Sequence, residues 1–255
     1  MKRKKGFGIV AIILILMIGA CGCTMNNSDL PSNSASEITL NERQKNILLE
    51  QGLPTSVNEL TDSQQKAIVA IEAMLQYAED KYNRSFSYAG YTAASALEKE
   101  HMRAYPSGGD KQTESFTITK TSTGYEDDYI SVAATNSFNA YIGECVTSLL
   151  NGSEVKVFSE ITKTSLNEVP TDYSNFDGNV ESSIWIFIDG ASFDINQMAQ
   201  FKEDFSNTMK EHKLYCTAQL ILLNEGKIAY PTKYNYTDYL SEEYYLSRET
   251  VYVKK

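Results

Sequence analysis

The stretch Ile184-Trp185-Ile186-Phe187-Ile188-Asp189 limits the fold of this 255-residue chain more than any other. A short apolar run that does not alternate reads as a strand covered on both faces, so a layer of structure is needed on either side. Residues 194–212 supply one, with Ile195, Met198, Phe201, Phe205 and Met209 at helical spacing, and residues 214–223 form a second apolar strand. Strand, helix and strand predict a right-handed crossover that places both strands in one sheet. Asn224-Glu225-Gly226-Lys227 then reads as a turn into a strand at 228–230, and residues 250–254 as an edge strand guarded by lysines. The C-terminal half, 184–255, is expected to be split-βαβ-like.

Upstream, Thr39-Leu40-Asn41-Glu42 reads as a capping box opening a short helix that Gly52 and Pro54 stop. A second box, Thr61-Asp62-Ser63-Gln64, opens a longer helix to Tyr82, whose stripe Ile68, Ile71, Leu75, Ala78 and Tyr82 is a core face. Short extended runs follow at 86–90, 101–105, 115–120 and 129–134, separated by glycine-bearing turns at 106–109 and 124–128. Asp127-Asp128 belongs to the second of these turns and reads as solvated, as does Glu242-Glu243. Residues 136–150 return to helical spacing, 155–161 read as a strand, and 167–182 as a polar loop. The expected class is α+β, an antiparallel or mixed sheet with packed helices. Its divisions are a helical hairpin at 39–82, an α+β half at 83–165, a polar linker at 166–183 and the C-terminal half, with a single domain over 39–255 as the other reading. Ala-Tyr-Pro occurs at 104–106 and 229–231, a weak echo of duplication with unequal spacing to the strand that follows.

The N-terminus sets the compartment. Lys2, Arg3, Lys4 and Lys5 precede an apolar run at 7–18, and Gly19, Ala20 and Cys21 follow at once, the order of an export signal. As a helix those twelve residues reach about 18 Å, short of a bilayer core of roughly 30 Å. Counted from 6 to 23 the stretch touches the lower limit for a span, so an uncleaved anchor is the competing reading. Ile18-Gly19-Ala20-Cys21 resembles the lipobox of bacterial lipoproteins. That resemblance implies a diacylglycerol thioether on Cys21, which becomes the first residue of the mature chain and holds the body at the extracytoplasmic face of the cell membrane. Cys23 fits the pattern less well. Two acyl chains suffice for stable anchoring, and the Ser- and Asn-rich segment up to residue 38 then reads as a flexible tether.

The chain carries 23 basic and 33 acidic residues, and removal of residues 1–20 takes four basic ones, leaving 19 against 33 and a net charge of −14. So acidic a body repels phosphate backbones, which argues against nucleic acid as a partner. Beyond Cys21 and Cys23 only Cys145 and Cys216 remain; buried free thiols are preferred, with a disulfide between them left open. His101 and His212 are the only histidines and stand at no metal-ligand spacing. Residues 173–184 resemble a calcium loop at Asn175, Asp177 and Gly178, but Tyr173 and Ile184 occupy the end positions where carboxylates are needed. No phosphate loop or nucleophile-elbow motif occurs, and no cofactor is implied.

Tyrosine is the feature above background, seventeen in all, crowded at Tyr230, Tyr234, Tyr236, Tyr239, Tyr244, Tyr245 and Tyr252. A rigid apolar ring with a polar tip suits sugar stacking and protein contacts. The first six are the candidate binding surface; the plainer reading is that they cover a thin sheet. Three functions follow in order of preference. A membrane-anchored, non-enzymatic module would capture a peptide, glycan or partner protein through an exposed tyrosine face. A solute-binding lipoprotein of a transporter would need a deep cleft between lobes. A cell-envelope hydrolase would need His101 or His212 beside a carboxylate and a nucleophile.

Overall fold

Helix α1, Glu42–Glu50, begins two residues later than the sequence box predicts. Asn41 is its cap: the Gln44 amide donates to Asn41 Oδ1 at 2.8 Å, and the Asn41 amide donates to Gln44 Oε1 at 2.9 Å. Gln44 wins over Glu42 because its side chain is buried against the next helix, where Nε2 also reaches the Ile68 carbonyl at 3.2 Å. Gly52, at φ 69°, ends the helix in the left-handed region as expected. The computed structural model describes residues 39–255 except Asn151; the leader, the lipobox with Cys21 and the tether lie outside the described residues. Residues Thr39–Lys255 form one compact unit.

Helix α2, Asp62–Tyr82, carries the predicted Thr61–Gln64 box and buries Ile68, Ile71, Met74, Leu75 and Ala78. Each large side chain on that stripe stabilises the fold by about 1.5–3 kcal/mol. Arg43 clamps α1 to α2, with Nε and Nη2 on Glu72 at 2.9 and 2.6 Å and Nη1 on both Glu79 oxygens at 2.8 Å. The stripe packs on a first sheet, β1 (Phe86–Thr92), β2 (His101–Pro106), β3 (Phe116–Thr121) and β4 (Gly124–Asp127), antiparallel in that order. Phe86, Met102, Ala104, Phe116 and Ile118 form its buried face.

Here the structure corrects the sequence reading twice. The expected turn at 124–128 is strand β4, and the expected strand at 129–134 is the first turns of α3, Tyr129–Leu149. Tyr129 and Ile130 are adjacent yet both buried, which a strand covered on one face does not allow and the wide face of a helix does, and Ala134, Phe138, Tyr141 and Ile142 continue that face. Nor is Asp127 solvated. Its side chain is fully buried and accepts hydrogen bonds from Tyr82 Oη at 2.7 Å, Lys81 Nζ at 2.7 Å, Tyr77 Oη at 3.0 Å and the Tyr129 amide at 3.1 Å. Asp128, pointing elsewhere, accepts from the Thr117 amide at 2.6 Å.

The second sheet has the order β5 (Val155–Thr164), β6 (Val180–Asp189), β7 (Tyr215–Leu223), β8 (Tyr245–Val253). β6 and β7 are parallel and joined through α4, Met198–Glu211, so the predicted βαβ crossover is present, between directly adjacent strands. Ile184, Ile186 and Ile188 enter the core beneath α3 and α4 while Phe187 enters a smaller core on the opposite face, the two-sided burial their sequence demanded. α3 joins the two sheets, because Tyr129 and Ile130 belong to the first core and Ala134 to Val146 to the second.

Three further expectations change. β5 pairs with β6, so the boundary at 165 falls inside the second sheet. β6 starts at Val180, inside the expected linker, because Val180 is buried. No strand forms at 228–230: β8 already pairs with β7 along its length, and Pro231 would stop a ladder. The two Ala-Tyr-Pro segments therefore hold unlike places, one within β2 and one beyond the β7 turn.

Candidate functional site

Strand register arranges the outer face of the second sheet in rows. Lys156, Phe187, Ile221 and Arg248 make one row; Phe158, Trp185, Gln219 and Thr250 the next; Glu160, Ser183, Thr217 and Tyr252 the third. Phe187, Ile221 and Leu223 would leave an apolar corner in water, and the segment 224–244 covers it, burying Ile228 there. Cations hold that strap by its carbonyls. Lys156 Nζ donates to Ala229 O at 2.9 Å and Pro231 O at 3.0 Å, and Arg248 Nη1 donates to Leu240 O at 3.0 Å.

The six candidate tyrosines divide under this arrangement. Tyr236 stacks on Phe158 at 4.8 Å with an interplanar angle of 8° and meets Trp185 at 5.2 Å; burial first, and then Glu160, push its hydroxyl up to about 12. Tyr239 and Tyr244 meet at 5.0 Å, Tyr245 opens β8 opposite Leu223, and these rings are half-buried over the same apolar corner. Tyr230 and Tyr234 are exposed, at 54% and 52%, each beneath a lysine ammonium, Lys227 at 5.4 Å and Lys233 at 5.0 Å. Tyr234 is fixed in place: its hydroxyl donates to Asp110 Oδ2 at 2.6 Å, and Lys233 Nζ reaches the same oxygen at 3.2 Å and Thr113 Oγ1 at 3.1 Å. These donors, Tyr234 foremost, hold the Asp110 carboxyl well below the usual carboxylate range. The sequence pattern does not separate rings that cover the sheet from rings that face water.

A second constellation escaped the sequence reading. Tyr141 on α3 donates to Asp177 Oδ1 at 2.7 Å, while His212 Nδ1, at the end of α4, lies 3.2 Å from Asp177 Oδ2 and 2.9 Å from the Tyr141 oxygen. With the phenol proton directed at Asp177, a neutral imidazole would place its hydrogen on Nδ1, towards Asp177, and leave Nε2 as the acceptor. A carboxylate-backed imidazole is the frame of a general base. Burial, and then Asp177, raise the Tyr141 hydroxyl, and burial, with Asp177 and Glu144, pushes the Cys145 thiol up to about 11. Cys145 and Cys216 are free thiols, Cys216 buried and pushed up to about 12. His101 Nδ1 shares a hydrogen bond with the Lys99 carbonyl at 3.0 Å. Among the described residues no group of three or more His, Cys, Asp or Glu is placed to hold a metal ion, and no helix is long and apolar enough to cross a membrane. The sequence offers His212 as a candidate but not its partners Asp177 and Tyr141, because the three lie 35 to 71 residues apart and meet only through packing of α3 and α4.

Comparison with known proteins finds no matching family model and no matching curated protein. Among solved structures, the crystal structure of a DUF5037 family protein from Ruminococcus gnavus ATCC 29149 is similar over 62% of this chain and 76% of that one, at 9% identity and a TM-score of 0.34.

Proposed function

We propose that this protein is a lipoprotein moored through diacylglycerol on Cys21 at the extracytoplasmic face of the cell membrane, where it binds a peptide, glycan or protein partner and performs no catalysis. The observation that carries the binding role is a pair of exposed rings on the strap: Tyr230 and Tyr234, 54% and 52% exposed and four residues apart, each lie under a lysine ammonium. Exposed aromatic rings with polar tips suit contact with a partner. Tyr236, Tyr239, Tyr244 and Tyr245 then serve as the platform on which the exposed rings stand. The non-catalytic reading is supported by the raised Tyr141 and Cys145 groups, which keep their protons near neutral pH.

Photo-crosslinking in the native cell tests this reading. A benzophenone amino acid placed at 230 or 234 is expected to give a discrete adduct that the same probe at Leu97, a site 99% exposed on the first half, does not give. Equal labelling at all three positions, or none at 230 and 234, would remove the binding surface.

A further inference from the structure

The strap is a loop with a closed neck. Where it leaves β7 the Asn224 amide donates to Tyr244 O at 3.0 Å and Asn224 Nδ2 donates to Glu243 O at 2.9 Å, so its two ends meet. Between them it joins no strand ladder among the described residues. Its tip, residues 229–238, is held together from within. Thr232 gives its amide and its hydroxyl to Asn235 Oδ1, both at 2.7 Å, and the Asn235 and Tyr236 amides return to Thr232 O at 3.1 and 3.0 Å. A segment that satisfies its own backbone can swing without breaking a ladder, and lids are drawn from such segments.

Side chains fasten the tip to the body at three points. Lys156 holds the carbonyls of Ala229 and Pro231, and Tyr236 lies flat on Phe158 beside Trp185. The third fastening comes from the first sheet. Asp110, in the connection between β2 and β3, takes the Tyr234 hydroxyl and the Lys233 ammonium, reaching across 124 residues of sequence. Its own loop aims it: the Gln112 amide donates to Asp110 Oδ1 at 2.9 Å, the Thr113 hydroxyl donates to Oδ2 at 2.9 Å, and the Asp110 amide donates to Glu114 Oε2 at 3.2 Å. The contact with Tyr234 stands in water, so it can break and reform without a large desolvation cost.

We propose that residues 229–238 form a lid over Phe158 and Trp185, and that Asp110 is the catch that holds it shut. Closed, the lid fills the space beside those two rings with its own Tyr236. Raised, it bares Phe158, Trp185 and Pro231 and frees Lys156, while Ile228 still covers the corner of Phe187, Ile221 and Leu223. The lid belongs to the free protein and stands whether or not a partner uses Tyr230 and Tyr234.

The Lys156 amine reports the opening, because it is held on two lid carbonyls only while the lid is shut. The full-length protein in detergent micelles is treated with an acetylating ester, and the rate at each lysine is read by mass spectrometry. In Asp110→Ala, Lys156 is expected to react about two- to fivefold faster than in the parent, the range that an exposed charged contact controls. Lys66, exposed on α2 and far from the strap in sequence, is expected to react at the parental rate. Tyr234→Phe removes the hydroxyl from the other side of the catch; alone it is expected to speed Lys156, and combined with Asp110→Ala to add nothing further. The proposal is overturned by a parental Lys156 rate in Asp110→Ala, by an equal acceleration at Lys66, which would mean general loosening, or by full additivity of the two substitutions.

Discussion

Asp127→Asn is the substitution with the largest worked consequence. The parent carboxylate sits with its side chain fully buried beneath four donors, from Tyr77, Lys81, Tyr82 and the Tyr129 amide, and so ties the end of α2 to the start of α3. Asparagine has the same shape but turns an NH2 group towards those donors and leaves the Lys81 ammonium without its counter-charge. Hydrogen bonds to charged groups contribute about 1.5–3 kcal/mol each, and breaking a buried pair costs about 3–5 kcal/mol. Lys81 is 43% exposed and recovers part of its loss from water, so the lower end, about 3 kcal/mol, is expected. For a body of this size that lowers Tm by roughly 6–12 °C. Acid gives the sharper test. Burial alone would raise the Asp127 carboxyl, but the hydrogen bonds from Lys81, Tyr82 and the Tyr129 amide outweigh it and hold the group below its ordinary value. A group depressed in the folded state contributes stability above its unfolded pKa, about 3.9 for Asp, and loses it as pH falls towards the folded value. Urea unfolding of parent and variant, followed by circular dichroism, should show a gap that is full at pH 7 and closes below about pH 4. A gap under 1 kcal/mol at pH 7, or one that does not close in acid, would refute the reasoning.

Other substitutions probe the remaining joints. Arg43→Met should destabilise by about 2–3 kcal/mol because Glu72 and Glu79 lose a shared partner, and Arg43→Lys should recover less than half, since an ammonium cannot serve both carboxylates in the guanidinium geometry; urea midpoints measure both. Tyr236→Ala should shift the emission of Trp185, the protein's single tryptophan, to longer wavelength by opening the strap to water, and an unchanged maximum would show that the stack does not shield it. Gly190→Ala should cost about 1–3 kcal/mol, because an added Cβ would run into the Leu223 carbonyl oxygen, where the tops of β6 and β7 meet; an unaltered melting curve would contradict that packing.

How much of this was legible in the chain depends on the range of the contacts that decide each element. α2 could be read because its cap lies within four residues and its stripe repeats locally. The βαβ crossover was readable for a similar reason: the apolar run at 184–188 is covered on both faces and tolerates no other placement. Residues 124–134 depart from the local pattern because Asp127 and Tyr129 answer to Tyr77 and Tyr82 on α2, 45 to 50 residues away from Asp127, and those contacts turn an apparent solvated turn into a buried anchor. The strand expected at 228–230 failed on a competition that no local pattern shows, in which β8 claims β7 from twenty residues further on. The tyrosines posed the same difficulty in the candidate site. Tyr234 and Tyr236 look alike in sequence, yet one faces water and the other stacks on Phe158 across the sheet. Asp177 lies in a loop whose end positions rule out calcium and His212 stands at no metal-ligand spacing, yet the two meet directly at 3.2 Å and share Tyr141, a contact that exists only once α3 and α4 are packed.

The anchoring claim, on which the compartment and the binding role both rest, is tested most directly by growing cells that express the full-length protein with radiolabelled palmitate. The parent is predicted to carry the label in the membrane fraction and Cys21→Ser to lose it. An unlabelled parent, or a Cys21→Ser variant labelled as strongly as the parent, would contradict the account.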